Sequence, residues 1–304
     1  VKSAVTLATV TTEFLERPGL APSTRETYEL TLGLLLQKYG SWSIEIISKQ
    51  TLVEYLNNLS HLKYTTHHKH QAILQSLLNF AVEQGYIKSN PIRGLKQRLP
   101  EREKGEHKSD ETIRYLTQSQ LNILYSAVKD DLRLSTIVHL LHRTGCRIGE
   151  LLALNIDSVD IKNQKFQVLG KGNKQRWCFY SDDAASMLAK YLKYSRHQNT
   201  NALFTAQHPV TRKVSRISYH TLHDYWRETT NKYPHLQGVR IHDLRHTFAT
   251  ERVGLISIEE LCSLMGHESI QTTLRYAKVT SQKSESAARH ALNILINSDQ
   301  KADL

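Results

Sequence analysis

Between Asn90-Pro91 and about Glu111 the chain offers almost nothing to bury: Lys96, Arg98, Pro100, Glu101, Arg102, Glu103, Lys104, Glu106 and Lys108 dominate the stretch. A segment of that composition cannot run through a hydrophobic core, so the residues on either side must build separate ones. We expect two domains, residues 1–95 and 113–304, joined by a linker over 96–112. At 304 residues and 39% hydrophobic content there is apolar material for both.

Residues before the charged stretch follow a helical period. Ser23 after Pro22 suits an N-cap for a helix carrying Tyr28, Leu32, Leu35 and Leu36, stopped at Gly40, and a second helix is expected from about Ser48 to Leu59. Over Thr66 to Gln84 the residues Ile73, Leu74, Leu77, Leu78, Ala81 and Val82 recur at i, i+3/i+4 spacing before Gly85. The first domain reads as a small helical bundle.

Beyond the linker, Thr117 can cap a helix through Leu121, Leu124 and Val128, and an apolar-striped helix from Leu134 to His142 ends at Gly145. The period then changes. Phe166 and Val168 lead into Gly170-Lys171-Gly172-Asn173, and Trp177 and Phe179 follow, a pattern that predicts a β-hairpin with Lys171 at its tip. Helices resume from about Ser218. The expected fold is mainly α, with a small antiparallel sheet in the second domain.

A formal charge of +11 makes nucleic acid the leading partner. Cys146, Cys178 and Cys262 are too widely spaced for a zinc cage or a disulfide framework and read as reduced thiols. The N-terminus lacks a signal-peptide core and the chain lacks a run of about 20 apolar residues, so a cytoplasmic protein without a membrane partner is expected.

Three short stretches need a common chemical explanation: Thr144-Gly145-Cys146-Arg147-Ile148-Gly149-Glu150-Leu151-Leu152, His242-Asp243-Leu244-Arg245-His246-Thr247, and Leu264-Met265-Gly266-His267 followed by Tyr276. His242 and Arg245, three apart, share one face of a helix and can grip one oxyanion. Two arginines and two histidines converging on a point suit a phosphodiester, whose non-bridging oxygens gain charge in the transition state and match guanidinium forks. No metal-binding motif or P-loop spacing is present, so neither metal nor nucleotide cofactor is expected. The reaction then needs a protein nucleophile. Tyr276 stands nine residues after His267, and Lys171 could protonate a leaving oxygen.

Taken in order, the Arg147 box, the Gly-Lys-Gly-Asn-Lys hairpin, His-Asp-Leu-Arg-His-Thr-Phe-Ala-Thr and Leu-Met-Gly-His with its tyrosine resemble the signature boxes of the tyrosine recombinase (phage integrase) family. The likeness runs over residues 113–280, and the helical first hundred residues resemble that family's core-site DNA-binding domain. It implies a catalytic set of Arg147, Lys171, His242, Arg245, His267 and Tyr276, with Glu150 supporting the first arginine. It further implies a 3′-phosphotyrosine intermediate, a homotetramer on two double-stranded DNA sites, and accessory DNA-bending proteins as candidate partners. A tail stripe of Ala287, Ala288, Ala291, Leu292 and Leu295 would serve subunit exchange.

Lys63, Lys69, Arg93, Lys96 and Arg98, together with Arg212, Lys213 and Arg216, are expected to contact DNA phosphates. His61, His67, His68 and His70 read as a solvated or phosphate-facing helix surface rather than a metal site. His246 reads as structural, on another part of the surface from His242. Little sequence precedes the first helical domain and the interval from Lys171 to His242 is compact, which favours a simple two-domain recombinase. The competing readings are a type IB topoisomerase, which would swivel DNA without a second site, and a catalytically silent DNA-binding regulator.

Overall fold

The structure is a computed structural model that describes residues 5–106, 113–170 and 174–277. By its contacts the chain divides into two compact units, Val1–Thr112 and Ile113–Leu304.

Four helices build the first unit: α1 (Leu7–Glu16), α2 (Pro22–Tyr39), α3 (Lys49–Asn58) and α4 (Tyr64–Glu83). Helix α1, which hydrophobic periodicity does not flag, is capped by Thr6, whose side chain accepts from the Thr9 N–H, and buries Leu7, Val10 and Phe14. Helix α2 starts earlier than Ser23 suggests because Pro22 takes the first helical position, where no amide hydrogen is needed. Helix α3 falls within the expected span from Ser48 to Leu59, and Ser48 caps it. Helix α4 is the centre of the bundle and packs on α1, α2 and α3 through Ile73, Leu74, Leu77, Leu78 and Ala81. His67 also points into this core, its Nε2 3.0 Å from the Leu56 carbonyl, so the expectation of a solvated histidine face fails there.

Residues 96–106, expected as linker, fold back on α4. The Glu106 carboxylate accepts from the Tyr64 N–H at 2.7 Å, from Arg98 Nη2 at 2.7 Å and from the Glu101 N–H at 3.1 Å. The Arg98 carbonyl lies 2.9 Å from His68 Nε2. Charge composition correctly shows that this strip has no apolar core to enter; it does not show that ion pairs and helix-end amides order it.

The second unit contains α5 (Gln118–Val128), α6 (Leu132–Thr144), α7 (Ile148–Ala153), β1 (Val159–Asp160), β2 (Lys165–Leu169), β3 (Gln175–Phe179), α8 (Asp182–Tyr194), β4 (Thr205–Gln207), β5 (Val214–Arg216), α9 (Tyr219–Asn231), α10 (Asp243–Arg252), α11 (Ile258–Met265) and α12 (Ile270–Ala277). Helix α6 is buried along most of its length, from Leu134 to Thr144, and α5, α8, α9 and α10 pack around it. Thr117 and Gln120 close a capping box at the start of α5. Two elements between the first hairpin and Ser218 go beyond the sequence expectation: the antiparallel β4–β5 pair and helix α8, which buries Ala184, Leu188 and Tyr191.

Strands β1, β2 and β3 form an antiparallel sheet in that order. The hairpin is where expected, but β3 shows the opposite face to the one its aromatics suggest. Phe166 pairs with Cys178 and Val168 with Arg176, so Cys178 and Arg176 point inward while Trp177 and Phe179 are 43% and 55% exposed. Lys165 covers the outward Trp177 ring at 4.5 Å. Lys171, the expected hairpin tip, and the tail stripe from Ala287 to Leu295 lie outside the described residues.

Helix α6 ends at Gly145, which is left-handed (φ 63°), and a Cβ there would run into the Phe248 ring. Gly145→Ala should therefore lose roughly 2–4 kcal/mol from left-handed strain and overpacking combined. Gly19→Ala has similar strain (φ 84°) but open space around its Cβ and should lose only about 1–2 kcal/mol. Urea unfolding of the full chain measures both.

Candidate active site

The turn after α6 places Arg147 at the N-cap of α7, one helical turn from Glu150. Glu150 reaches back to the Arg147 N–H (2.8 Å) and accepts from Arg147 Nη1 (2.9 Å). From the other side Arg176 of β3 forks onto the same carboxylate, with Nη1 to Oε1 at 3.0 Å and Nη2 to Oε2 at 2.6 Å. Burial alone would raise the Glu150 carboxyl, yet the Arg176 fork and the Arg147 amide hold it below its ordinary range. Arg147 Nη2 also reaches the Gly266 carbonyl and Arg176 Nε the Leu264 carbonyl, which ties this cluster to the end of α11.

Arg245 enters from α10 and is only 3% exposed. Its guanidinium donates to the carbonyls of Gly145 and Met265, and among the described residues no carboxylate is paired with it. Burial, then Arg147 and Arg176, bring it down to about 10. His242 sits just before α10, open to solvent on one side; crowding by its neighbours and then Arg245 lower its basicity.

Gly266 ends α11 in the left-handed conformation (φ 62°) and turns the chain so that His267 faces the site. Thr273 of α12, fully buried, meets His267 Nδ1 at 2.8 Å. Burial and then Arg245 bring His267 down to about 4, so it is neutral at pH 7. Tyr276 lies on α12, 4% exposed, packed with Phe248, Ala249, Leu261 and Met265. Its ring lies parallel to that of His267 at 6.4 Å, and its hydroxyl is 2.8 Å from His246 Nδ1. Burial raises the phenol, and Arg245, Arg275 and Arg147 oppose that rise only in part.

The structure thus brings Arg147, Glu150, His242, Arg245, His267 and Tyr276 into one site. Among the described residues no group of three His, Cys, Asp or Glu side chains is placed to hold a metal ion. Two contributors escape a reading of the sequence. Arg176 is hidden by Trp177 and Phe179, the aromatics that follow it in the strand. His246 is expected away from His242, whereas the two rings are 4.7 Å apart and edge-to-face, as positions i and i+4 of a helix allow; that spacing is a usable signal.

Of the expected phosphate contacts, Lys63, Lys69, Arg93, Lys96, Arg212 and Lys213 are exposed and outside this cluster. Two are committed inside the protein instead. Arg98 is held by Glu101 and Glu106. Arg216 donates to the carbonyls of Leu152 and Leu154, both at 2.6 Å, and so fixes the segment after α7.

Comparison with known proteins identifies the family and the fold. Residues 114–283 match the model of the phage integrase family. A tyrosine recombinase XerC of Vibrio cholerae is 29% identical over 216 residues, covering 69% of this chain and 65% of the relative, so the chain spans under two thirds of that relative's length. A XerC of Lactobacillus delbrueckii is 29% identical over 229 residues, 69% of this chain and 70% of the relative. Among solved structures, the Tn1549 transposon integrase in complex with transposon right end DNA superposes with a TM-score of 0.73 at 17% identity, over 93% of this chain and all (100%) of that one. A lambda integrase dimer bound to a COC′ core site gives 0.69 at 17% identity, over 90% and 95%. Both likenesses carry the fold. Among the described residues no helix is long and apolar enough to cross a membrane.

Removing the Arg176 fork leaves a buried carboxylate with only one cationic partner. Arg176→Met should cost about 3 kcal/mol at pH 7. The sign with pH follows from the lowered Glu150 value: its stabilisation is present above the ordinary carboxylate range and is lost as pH falls through the depressed one. The gap between wild type and Arg176→Met should therefore narrow on acidification below about pH 4.5, measured by thermal unfolding across pH; a gap that stays constant would show that Glu150 is not the partner that matters.

Proposed function

Because this chain belongs to the phage integrase family, whose members are tyrosine recombinases acting in site-specific DNA recombination, we propose that Tyr276 is its nucleophile and that Arg147 and Arg245 bind the scissile phosphate. The observation that carries this reading is the meeting, in one site, of a buried phenol with two guanidiniums, one of them buried and held by two backbone carbonyls. Such a cluster favours an anion that accumulates charge in its transition state.

In this reading Tyr276 Oη attacks phosphorus, the bond to the 5′-oxygen breaks, and a 3′-phosphotyrosine is left beside a free 5′-hydroxyl. A 5′-hydroxyl from a partner duplex then reverses the step. The ester conserves the bond energy, so no ATP is required, and the arginines take the charge-stabilising part that a metal would otherwise play. His242 and His267 donate to or orient the phosphate oxygens, Glu150 fixes Arg147, and Lys171 protonates the leaving oxygen. The first unit serves as the core-site DNA-binding domain, and Lys63, Lys69, Arg93, Lys96, Arg212 and Lys213 supply phosphate contacts. The assembly is a homotetramer on two sites.

A pool of nicked duplexes with a randomised sequence around the nick tests this directly. After incubation and denaturation, wild type should retain DNA covalently, with the adduct on Tyr276 by mass spectrometry, in excess EDTA and without ATP. Tyr276→Phe should retain none. Sequencing the trapped DNA yields the recognised site, and binding to it should weaken steeply with salt, as expected when a chain of net charge +11 displaces counterions from phosphates. Loss of the adduct in EDTA, or its persistence in the phenylalanine variant, would refute the proposed chemistry.

A further inference from the structure

His246 touches the reacting oxygen directly. Its Nδ1 is 2.8 Å from Tyr276 Oη, and among the described residues no other side chain is hydrogen-bonded to that oxygen. The neighbouring histidines are differently engaged: His267 Nδ1 faces Thr273, and His242 packs edge-to-face with the His246 ring. Both partners of the contact are held by packed helices, since α10 and α12 are in contact and Tyr276 belongs to a core with Phe248 and Ala249 of α10.

The direction of the hydrogen bond follows from protonation. The charged and titratable groups around His246 are His242, Asp243 and Arg240 at the start of α10, Arg275 and Tyr276 on α12, and His267 beyond the phenol. Burial, then His242, hold the imidazole at about 4, so it is neutral at pH 7. A neutral imidazole has one donor and one acceptor nitrogen, and a phenol that keeps its proton donates most simply to the acceptor. Nδ1 is then the bare nitrogen, with the ring proton on Nε2.

We infer that His246 takes the phenolic proton of Tyr276 during strand cleavage and returns it on rejoining, an inference that rests on the reading of Tyr276 as nucleophile. In the forward step the Oη–H bond breaks and its proton moves to His246 Nδ1 while the Oη–P bond forms. The P–O5′ bond breaks, and its oxygen takes a proton from a separate donor, Lys171. A phosphodiester bound among the arginines adds negative charge near the ring and raises its basicity. The acceptor of the free protein becomes a stronger base when substrate is present.

The test measures single-turnover adduct formation by the full chain on the nicked duplex recovered by the covalent trap, between about pH 5.5 and 8.5. His246→Ala should be about 10²–10³-fold slower at neutral pH. His246→Asn offers an amide oxygen in place of Nδ1 and can hold the phenol without accepting its proton. It should stay slow, with a rate that climbs about tenfold per pH unit where wild type is nearly flat. A 5′-bridging phosphorothiolate, whose sulfur leaves without protonation, should rescue neither variant. Wild-type rates in His246→Ala, a flat and fast profile in His246→Asn, or full phosphorothiolate rescue would each overturn the inference. Long-range proton–nitrogen NMR of the wild-type protein is a readout independent of variant folding: the His246 ring proton should sit on Nε2, and a proton on Nδ1 would overturn the inference. An adduct that survives Tyr276→Phe would instead refute the nucleophile assignment, so the two failures are distinguishable.

Discussion

Glu150 sits between two guanidiniums, and most of the site is hung on that contact. The carboxylate accepts from Arg147 and Arg176, and those two arginines reach on to the carbonyls of Gly266 and Leu264. One buried acid thereby links the start of α7, the second strand of the hairpin and the end of α11. One negative charge between two positive ones leaves a net positive charge, and the geometry decides where it shows. Arg176 is covered, whereas the Arg147 side chain is 41% exposed and presents its charge at the mouth of the site.

Arg245 adds a second cation under harsher terms. Two backbone carbonyls satisfy part of its fork, among the described residues no carboxylate pairs with it, and burial, then Arg147 and Arg176, bring it down to about 10. A fold keeps such a group only if the rest of the structure over-determines its position. Here it does so through the left-handed glycines that end α6 and α11, because the carbonyls that hold Arg245 belong to Gly145 and to Met265 beside Gly266. The same two turns deliver Arg147 and His267. Helix termination and construction of this cationic cluster are one event in this chain.

How much of this is legible in the sequence depends on whether a residue's role shows in its own pattern or only in its partner's. The glycine-ended helices, the Thr117 and Ser48 caps and the hairpin follow from local rules and lie where those rules put them. Arg176 does not, because hydrophobic alternation along the strand makes Trp177 and Phe179 look like the inward face. Burying Glu150 reverses the parity: a strand that must supply its counter-charge turns its aromatics outward, where Lys165 can shield one of them. Residues 96–106 depart from expectation for a related reason, since Arg98 and Glu106 bind each other and the first turn of α4 rather than the solvent that their charges suggest. Local sequence reports propensity and period; it does not report which distant charge a side chain will meet.

The protonation pattern of the free site is consistent throughout. Burial and the arginines keep His246 and His267 neutral, and burial keeps the Tyr276 phenol protonated despite three nearby guanidiniums. These three groups are thus held in their uncharged forms, while Glu150 is held as a carboxylate beside the arginines. On the proposed function, a phosphodiester beside Arg147 and Arg245 would relieve the repulsion between them and make the imidazoles more basic by the same Coulombic effect.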